Sequence, residues 1–155
     1  MTHIVNTVDV DTNEYEITDS ILKDGMSVAL ISGIKEILDS DLIGVDPVDV
    51  ETILNFGNAV IYSTQAVGKN RASVAIRQAI AYFMEQNTPL INAQGVMISL
   101  AANKSIRMWE VYEALRILTE TVSEDTLLLV GAVVREEMDE TLRLTIIAVG
   151  EALPE

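Results

Sequence analysis

Two carboxylates, Asp46 and Asp49, stand three residues apart in the stretch LIGVDPVDVETIL, residues 42–54. At that spacing they fall at the entry and in the first turn of a helix. Carboxylates so placed can orient a water molecule or help organise a cation beside a phosphate. The same pattern has a purely architectural reading. Aspartate before proline is a favoured N-cap with proline at the first helical position, and Asp49 then sits where the helix dipole favours an anion. Nothing elsewhere in the sequence offers the pair an obvious substrate.

Other chemistry is thinly represented. His3 is the sole histidine and cysteine is absent, so no metal centre and no Ser/His/Asp or cysteine machinery is patterned. No Walker loop or Rossmann fingerprint occurs, and no cofactor is expected. Gly68 and Lys69 in AVGKNRAS lack the glycine spacing that cradles phosphate and read as a strand end followed by an Asn70 cap. Trp109 and Tyr112, three apart on a helical segment, are expected to pack in the core or against a sheet. Arg71, Arg77, Arg107 and Arg116 are expected to be solvated or paired with the acidic excess, and VVREEMDE to be a solvated connection.

Ten basic against 24 acidic residues give a net charge of -14, which argues against nucleic acid and anionic membrane as partners. Such a charge serves solubility, and it also suits a salt-rich cytoplasm or a basic partner patch. Two Phe, one Trp and four Tyr leave little for a base-stacking platform. A 49% hydrophobic content over 155 residues suffices for one folded domain without disulfides. The longest apolar runs are too short to span a bilayer and no signal peptide opens the chain, so the expected location is cytoplasmic.

The elements that must position Asp46 and Asp49 follow from periodicity. Residues 1–16, with alternating Ile4, Val8 and Val10, read as an arm or short strand. A long helix is expected next, with caps at Thr18–Ser20 and an apolar face of Ile17, Ile21, Met26, Val28, Ile31, Ile34 and Leu38. Gly44 ends that segment, and Asp46-Pro47 starts a short helix to about Leu54. Then come a strand (58–67), a helix (70–86) with Val74, Ile76, Ala79, Ile80 and Phe83 for its inner side, a strand (95–102) and a helix (106–122). Strands at 126–134 and 142–150 close the domain, which is drawn as 17–150 with a 151–155 tail. Strand–helix–strand order favours parallel neighbours, while the last two strands are expected to pair antiparallel like a hairpin. The fold class is α/β, an α+β sandwich: a four-stranded mixed sheet with two helices on one face, the long first helix covering the other.

From about Asp19 onward the motifs resemble, in order, the C-terminal domain of FtsZ, the bacterial relative of tubulin. DSILKDGMSVALISGIKEI is similar to that family's central helix, and LIGVDPVDV to its synergy loop, usually Asn-x-Asp-Phe-x-Asp. GKNRASVAIRQAI with the later PL, AQGVMISLAA and ETLRLTIIAVG resemble a Gly-Glu-Asn-Arg-Ala helix start, an Ala-Gln/Arg-Gly-Val strand and the closing strand. The resemblance implies the same fold and a role for the carboxylates. In FtsZ and tubulin one subunit holds the nucleotide, and its neighbour's synergy loop brings acids to the γ-phosphate and its water. It implies a synergy-type loop of Gly44, Asp46 and Asp49 here, with Gly44 where the family has Asn and Pro47 where it has Phe. The glycine pair common after the third strand is missing from SLAANKS, and YFMEQNT is longer than the family's segment.

No counterpart of the nucleotide-binding half is found in the sequence, so no enzyme is expected: the acids would at most complete a partner's GTPase site. The first expectation is therefore a non-enzymatic interaction module that docks on or caps a full-length FtsZ-like GTPase. The alternative is a self-associating small-ligand-binding or structural domain unrelated to cell division. A homo-oligomer through the first helix is expected, since no GTPase domain covers its apolar face. Met1 and an opening stretch unlike FtsZ's preceding segment favour a stand-alone chain over a domain fragment.

Overall fold

The structure, a computed structural model, describes residues 26–154. The arm expected over 1–16, His3, the caps sought at Thr18–Ser20 and the apolar positions Ile17 and Ile21 lie outside the described residues. Helix α1 (Val28–Leu38) begins where Ser27 takes an extended conformation and its hydroxyl accepts the Leu30 N–H at 3.1 Å. The helix expected to run through from about residue 17 thus starts at Val28, because Ser27 supplies the cap. Helix α2 (Pro47–Leu54) and strand β1 (Asn58–Val67) follow, then α3 (Arg71–Glu85), β2 (Gly95–Ala102), α4 (Met108–Thr121), β3 (Leu127–Val134) and β4 (Thr141–Gly150). Short 3-10 turns occupy Leu90–Asn92 and Glu136–Met138.

The four strands form one sheet in the order β1-β4-β2-β3. β2 and β3, joined through α4, are parallel neighbours as expected. The expected hairpin of the last two strands does not form: β4 lies between β1 and β2 and is antiparallel to both. The physical reason is burial. β4 is buried along almost its whole length on both faces, and its run TIIAV can be covered only at the centre of a sheet.

Strand alternation sorts the side chains into two layers. Even-numbered residues such as Val60, Ile98, Leu144 and Ile146 join Ala75, Ile76, Ala79, Phe83, Ala114 and Leu118 of α3 and α4. Odd-numbered residues Ile61, Met97, Ile147 and Val149 meet Leu30, Ile34, Ile37, Val50 and Ile53 of α1 and α2. Two helices therefore cover one face, and α1 with α2 covers the other. Beneath α1 the sheet carries a row of small residues, Ser63, Thr145, Ser99 and Gly131, in register across all four strands. Gly33 lets α1 come down on this row, since a Cβ there would collide with Ile61.

Three expectations about facing change. Val28 is 57% exposed rather than inward, so the apolar face that the first helix was expected to leave uncovered reduces, among the described residues, to Val28 and the half-buried Met26, Ile31 and Leu38. Val74 of α3 is exposed, because the inner stripe of that helix is set by Ala72, Ala75, Ile76, Ala79 and Phe83. In the connection before β4, Met138 is buried while its acidic neighbours are solvated.

Candidate functional site

The loop between α1 and α2 is a backbone-anchored structure. After α1, Asp39 caps the helix and its Oδ2 accepts from Arg135 at 3.1 Å. The N–H groups of Asp41, Leu42 and Ile43 then converge on the carbonyl of Ala132, at 3.1, 3.0 and 3.3 Å. Ala132 returns a bond to the Ile43 carbonyl at 3.1 Å, and Asp41 Oδ1 accepts the N–H of Val134 at 3.1 Å. The loop therefore adds a one-bridge extension to the edge of β3. Gly131 makes room for it, because any side chain there would strike Ser40 and Val45.

From this anchor the chain turns into α2. Asp46 is the N-cap, its Oδ1 accepting the Val48 N–H at 2.9 Å, with Pro47 in the first helical position and Asp49 in the first turn. The architectural reading of Asp46 is thus realised. It employs one carboxylate oxygen, and the other has no partner among the described residues. Gly44, Asp46 and Asp49 are all exposed, and they are brought onto one short segment. At Gly44 an added Cβ would meet nothing closer than the Ser40 carbonyl at 3.8 Å, an ordinary contact. The backbone therefore does not demand glycine at that position. Among the described residues no group of three or more His, Cys, Asp or Glu is arranged to hold a metal ion.

The other singled-out residues resolve individually. Gly68, at φ +98°, makes the turn after β1, and Asn70 stands at the N-cap of α3, but its side chain makes no capping bond. Trp109 and Tyr112 are 51% and 63% exposed, so the expected core packing is overturned. The buried stripe of α4 is Glu110, Val111, Ala114, Ile117 and Leu118, and the two aromatics lie off it. Arg71 is buried and forks onto Glu110 at 2.7 and 3.1 Å, with further bonds to the Glu140 carbonyl and Ser105. Arg116 pairs with Glu120 one turn away in solvent, and Arg77 reaches Ser73. Arg107 donates its backbone N–H to Glu110 at 2.8 Å.

Sequence reasoning missed a second, partly buried ion pair, Arg143 with Glu36, which lies between α1 and β4 and is joined by Thr145 and Ser63. The available signal was the pair of polar residues at alternate positions in the otherwise apolar LRLTIIAVG. Tyr82 stacks on Tyr62 with ring centroids 4.1 Å apart. Burial first, and the neighbouring Tyr62 second, push the Tyr82 hydroxyl above its ordinary range.

With this geometry in hand, comparison with known proteins is direct. Residues 57–152 match the model of the FtsZ family, C-terminal domain. Cell division protein FtsZ 2 of Rhizobium meliloti (strain 1021) is 30% identical over 137 residues, which cover 88% of this chain and 38% of that protein. FtsZ 1 of the same organism is 28% identical over 148 residues, 95% of this chain and 24% of that protein. The chain therefore spans well under half the length of these curated relatives. Among solved structures, an empty FtsZ dimer from M. jannaschii superposes with a TM-score of 0.67 at 21% identity, over 82% of this chain and 41% of that one. A GTPgS-bound protofilament of CetZ2 from Haloferax volcanii gives 0.55 at 16% identity, over 89% and 46%. These likenesses bear on the fold. No described helix is long and apolar enough to cross a membrane.

Proposed function

This chain belongs to the FtsZ family, through that family's C-terminal domain, and on that premise we propose that it is a non-enzymatic module that docks on a full-length FtsZ-like GTPase. The docking element is the loop of Gly44, Asp46 and Asp49, within a domain drawn over 17–150 and working in the cytoplasm. The observation that carries the reading is the presentation of two exposed carboxylates on a loop whose backbone is tied to β3. An acid-bearing loop held at fixed height is suited to reach a site on another molecule. Flexible acids would lose more conformational entropy on docking.

In the docked state Asp46 and Asp49 would face the partner's terminal phosphate and orient its attacking water. This chain's own contribution is positioning and charge. The oxygen of Asp46 that caps α2 fixes the carboxylate, and its second oxygen, without a partner among the described residues, would serve the partner. Seated where the next subunit would sit, the module would act as a filament cap.

The test is co-sedimentation and GTPase assay with full-length FtsZ purified from the same organism. Binding together with a changed GTPase rate or filament length supports the reading; sedimentation indifferent to this protein rejects it. A homo-oligomer through the first helix is the second reading, favoured by the exposed Val28. Light scattering at tens of micromolar, with Val28→Ser as control, decides it.

A further inference from the structure

We infer that the pocket at the opposite end of α2 from Asp46 binds a neutral sugar ring. The inference goes beyond the docking reading and does not rest on it. Helix α2 ends at Leu54. Phe56, just beyond it, joins the turn at Leu90–Asn92 and the connection between α4 and β3 in lining an open pocket of about 390 Å³. Small-molecule sites occupy roughly 300–1,000 Å³.

The frame of the pocket is tied to the sheet. The Gln94 N–H donates to the Val149 carbonyl at 2.8 Å, and the Leu127 N–H to the Gln94 carbonyl at 3.0 Å. Gly150 permits this close approach: a Cβ there would come within 3.1 Å of the Gln94 nitrogen and 3.4 Å of the Asn92 carbonyl oxygen. Side chains are held as well. Gln94 Oε1 accepts the Glu151 N–H at 2.8 Å, the Thr126 hydroxyl donates to the Ala93 carbonyl at 3.0 Å, and Ser123 Oγ accepts the Asp125 N–H at 3.2 Å. Groups fixed in this way lose little freedom when a ligand arrives.

The capacity left unused among the described residues defines the ligand. Gln94 keeps its amide hydrogens and Ser123 its hydroxyl proton, so both can donate. Thr126 Oγ1 and the exposed Asp125 carboxylate can accept, and the exposed Asn92 amide can do both. Interleaved donors and acceptors suit hydroxyl groups, each of which gives one hydrogen bond and takes others. The half-buried Phe56 and Ile91, at 58% exposure, add an apolar wall for the C–H face of a ring. Among the described residues no Lys, Arg or His lines the pocket, and the net charge of -14 repels anions, so phosphorylated and carboxylated sugars are disfavoured. An organic cation would employ the acceptors and leave the Gln94 and Ser123 donors unanswered.

The test needs no GTPase, so its failure is separate from failure of the docking proposal. The full chain, labelled with nitrogen-15, is titrated with the methyl α-pyranosides of glucose, galactose and mannose. At least one is expected to shift the amides of Asn92, Gln94, Asp125 and Thr126 with saturation in the millimolar range, while those of Asp46 and Asp49 stay in place. Asp125→Ala is expected to weaken binding by about tenfold. Glu124→Ala makes the same charge change at an exposed neighbour that does not line the pocket, and is expected to leave binding unchanged. Maltose beside methyl α-glucoside separates two sources of the same chemistry: tighter maltose assigns the end of a glycan, equal affinity a free sugar, and both uphold the site. Absence of a saturable shift with all three pyranosides overturns the site. Choline or a methyl glucuronide binding as tightly as the neutral pyranosides overturns the neutral ring, and equal weakening by Glu124→Ala overturns the role of Asp125.

Discussion

Asp46 bonds the Val48 N–H through one oxygen and leaves the other without a partner among the described residues, so its two roles separate by substitution. Asp46→Ala is expected to cost about 0.5–2 kcal/mol in urea unfolding, while Asp46→Asn is expected to be nearly neutral, since Asn caps as well. In the partner GTPase assay, Asp46→Asn and Asp49→Asn together are expected to abolish stimulation, because Asn keeps shape and loses charge. Equal stimulation by wild type and the double variant would eliminate the carboxylate mechanism and leave docking alone. Gly44→Asn restores the family's polar side chain where the backbone has room for it. It is expected to leave the unfolding midpoint unmoved and to raise any stimulation; a fall in stability would contradict the open space at that position. The cap was legible in the sequence because its bond spans two residues. The Arg71–Glu110 and Arg143–Glu36 pairs, 39 and 107 residues apart, were not, because no local pattern reports which distant charge will share a buried site.

At the scale of elements, periodicity located every described helix and strand, and its failures have one cause. Period identifies the element; which flank is covered depends on neighbours the sequence does not order. α4 shows this with Trp109 and Tyr112, which share its helical register but lie off the buried stripe. Since Trp109 is the only tryptophan, native fluorescence reports it alone. The emission is expected to be water-like and open to acrylamide quenching, and Trp109→Ala to change stability by less than about 0.5 kcal/mol. Phe83→Ala, at a fully buried position of α3, is expected to cost about 3–5 kcal/mol. A blue-shifted, shielded Trp109 would return it to the core. The hairpin expected of β3 and β4 failed for a related reason: chain adjacency suggested pairing, but a strand apolar on both faces belongs in the middle.

For the molecule as a whole, alkaline pH is a global lever. Burial and the adjacent Tyr62 raise the Tyr82 pKa above 10.0, so the folded state favours the neutral phenol. The unfolded chain ionises first as pH climbs past about 10. The stabilising contribution is therefore complete below that pH and is lost as pH rises through the folded value. Urea midpoints are expected to fall above about pH 10 and to fall less steeply in Tyr82→Phe; parallel curves would remove Tyr82 from the effect. The position of β4 has a different consequence, which concerns synthesis on the ribosome. The strand in the middle of the sheet is the last of the four to be translated, and β1 waits for it across the whole of α3, β2, α4 and β3. Until residues 141–150 leave the exit tunnel, β1 has no strand to pair with, and its unpaired backbone edge is available to chaperones. Folding of this kind rests on contacts distant in sequence and is slow for its size. Nascent chains arrested with β4 still in the tunnel are expected to be cut readily by protease, and protection is expected to appear abruptly once Gly150 has emerged; gradual protection from β1 onward would point to an earlier nucleus.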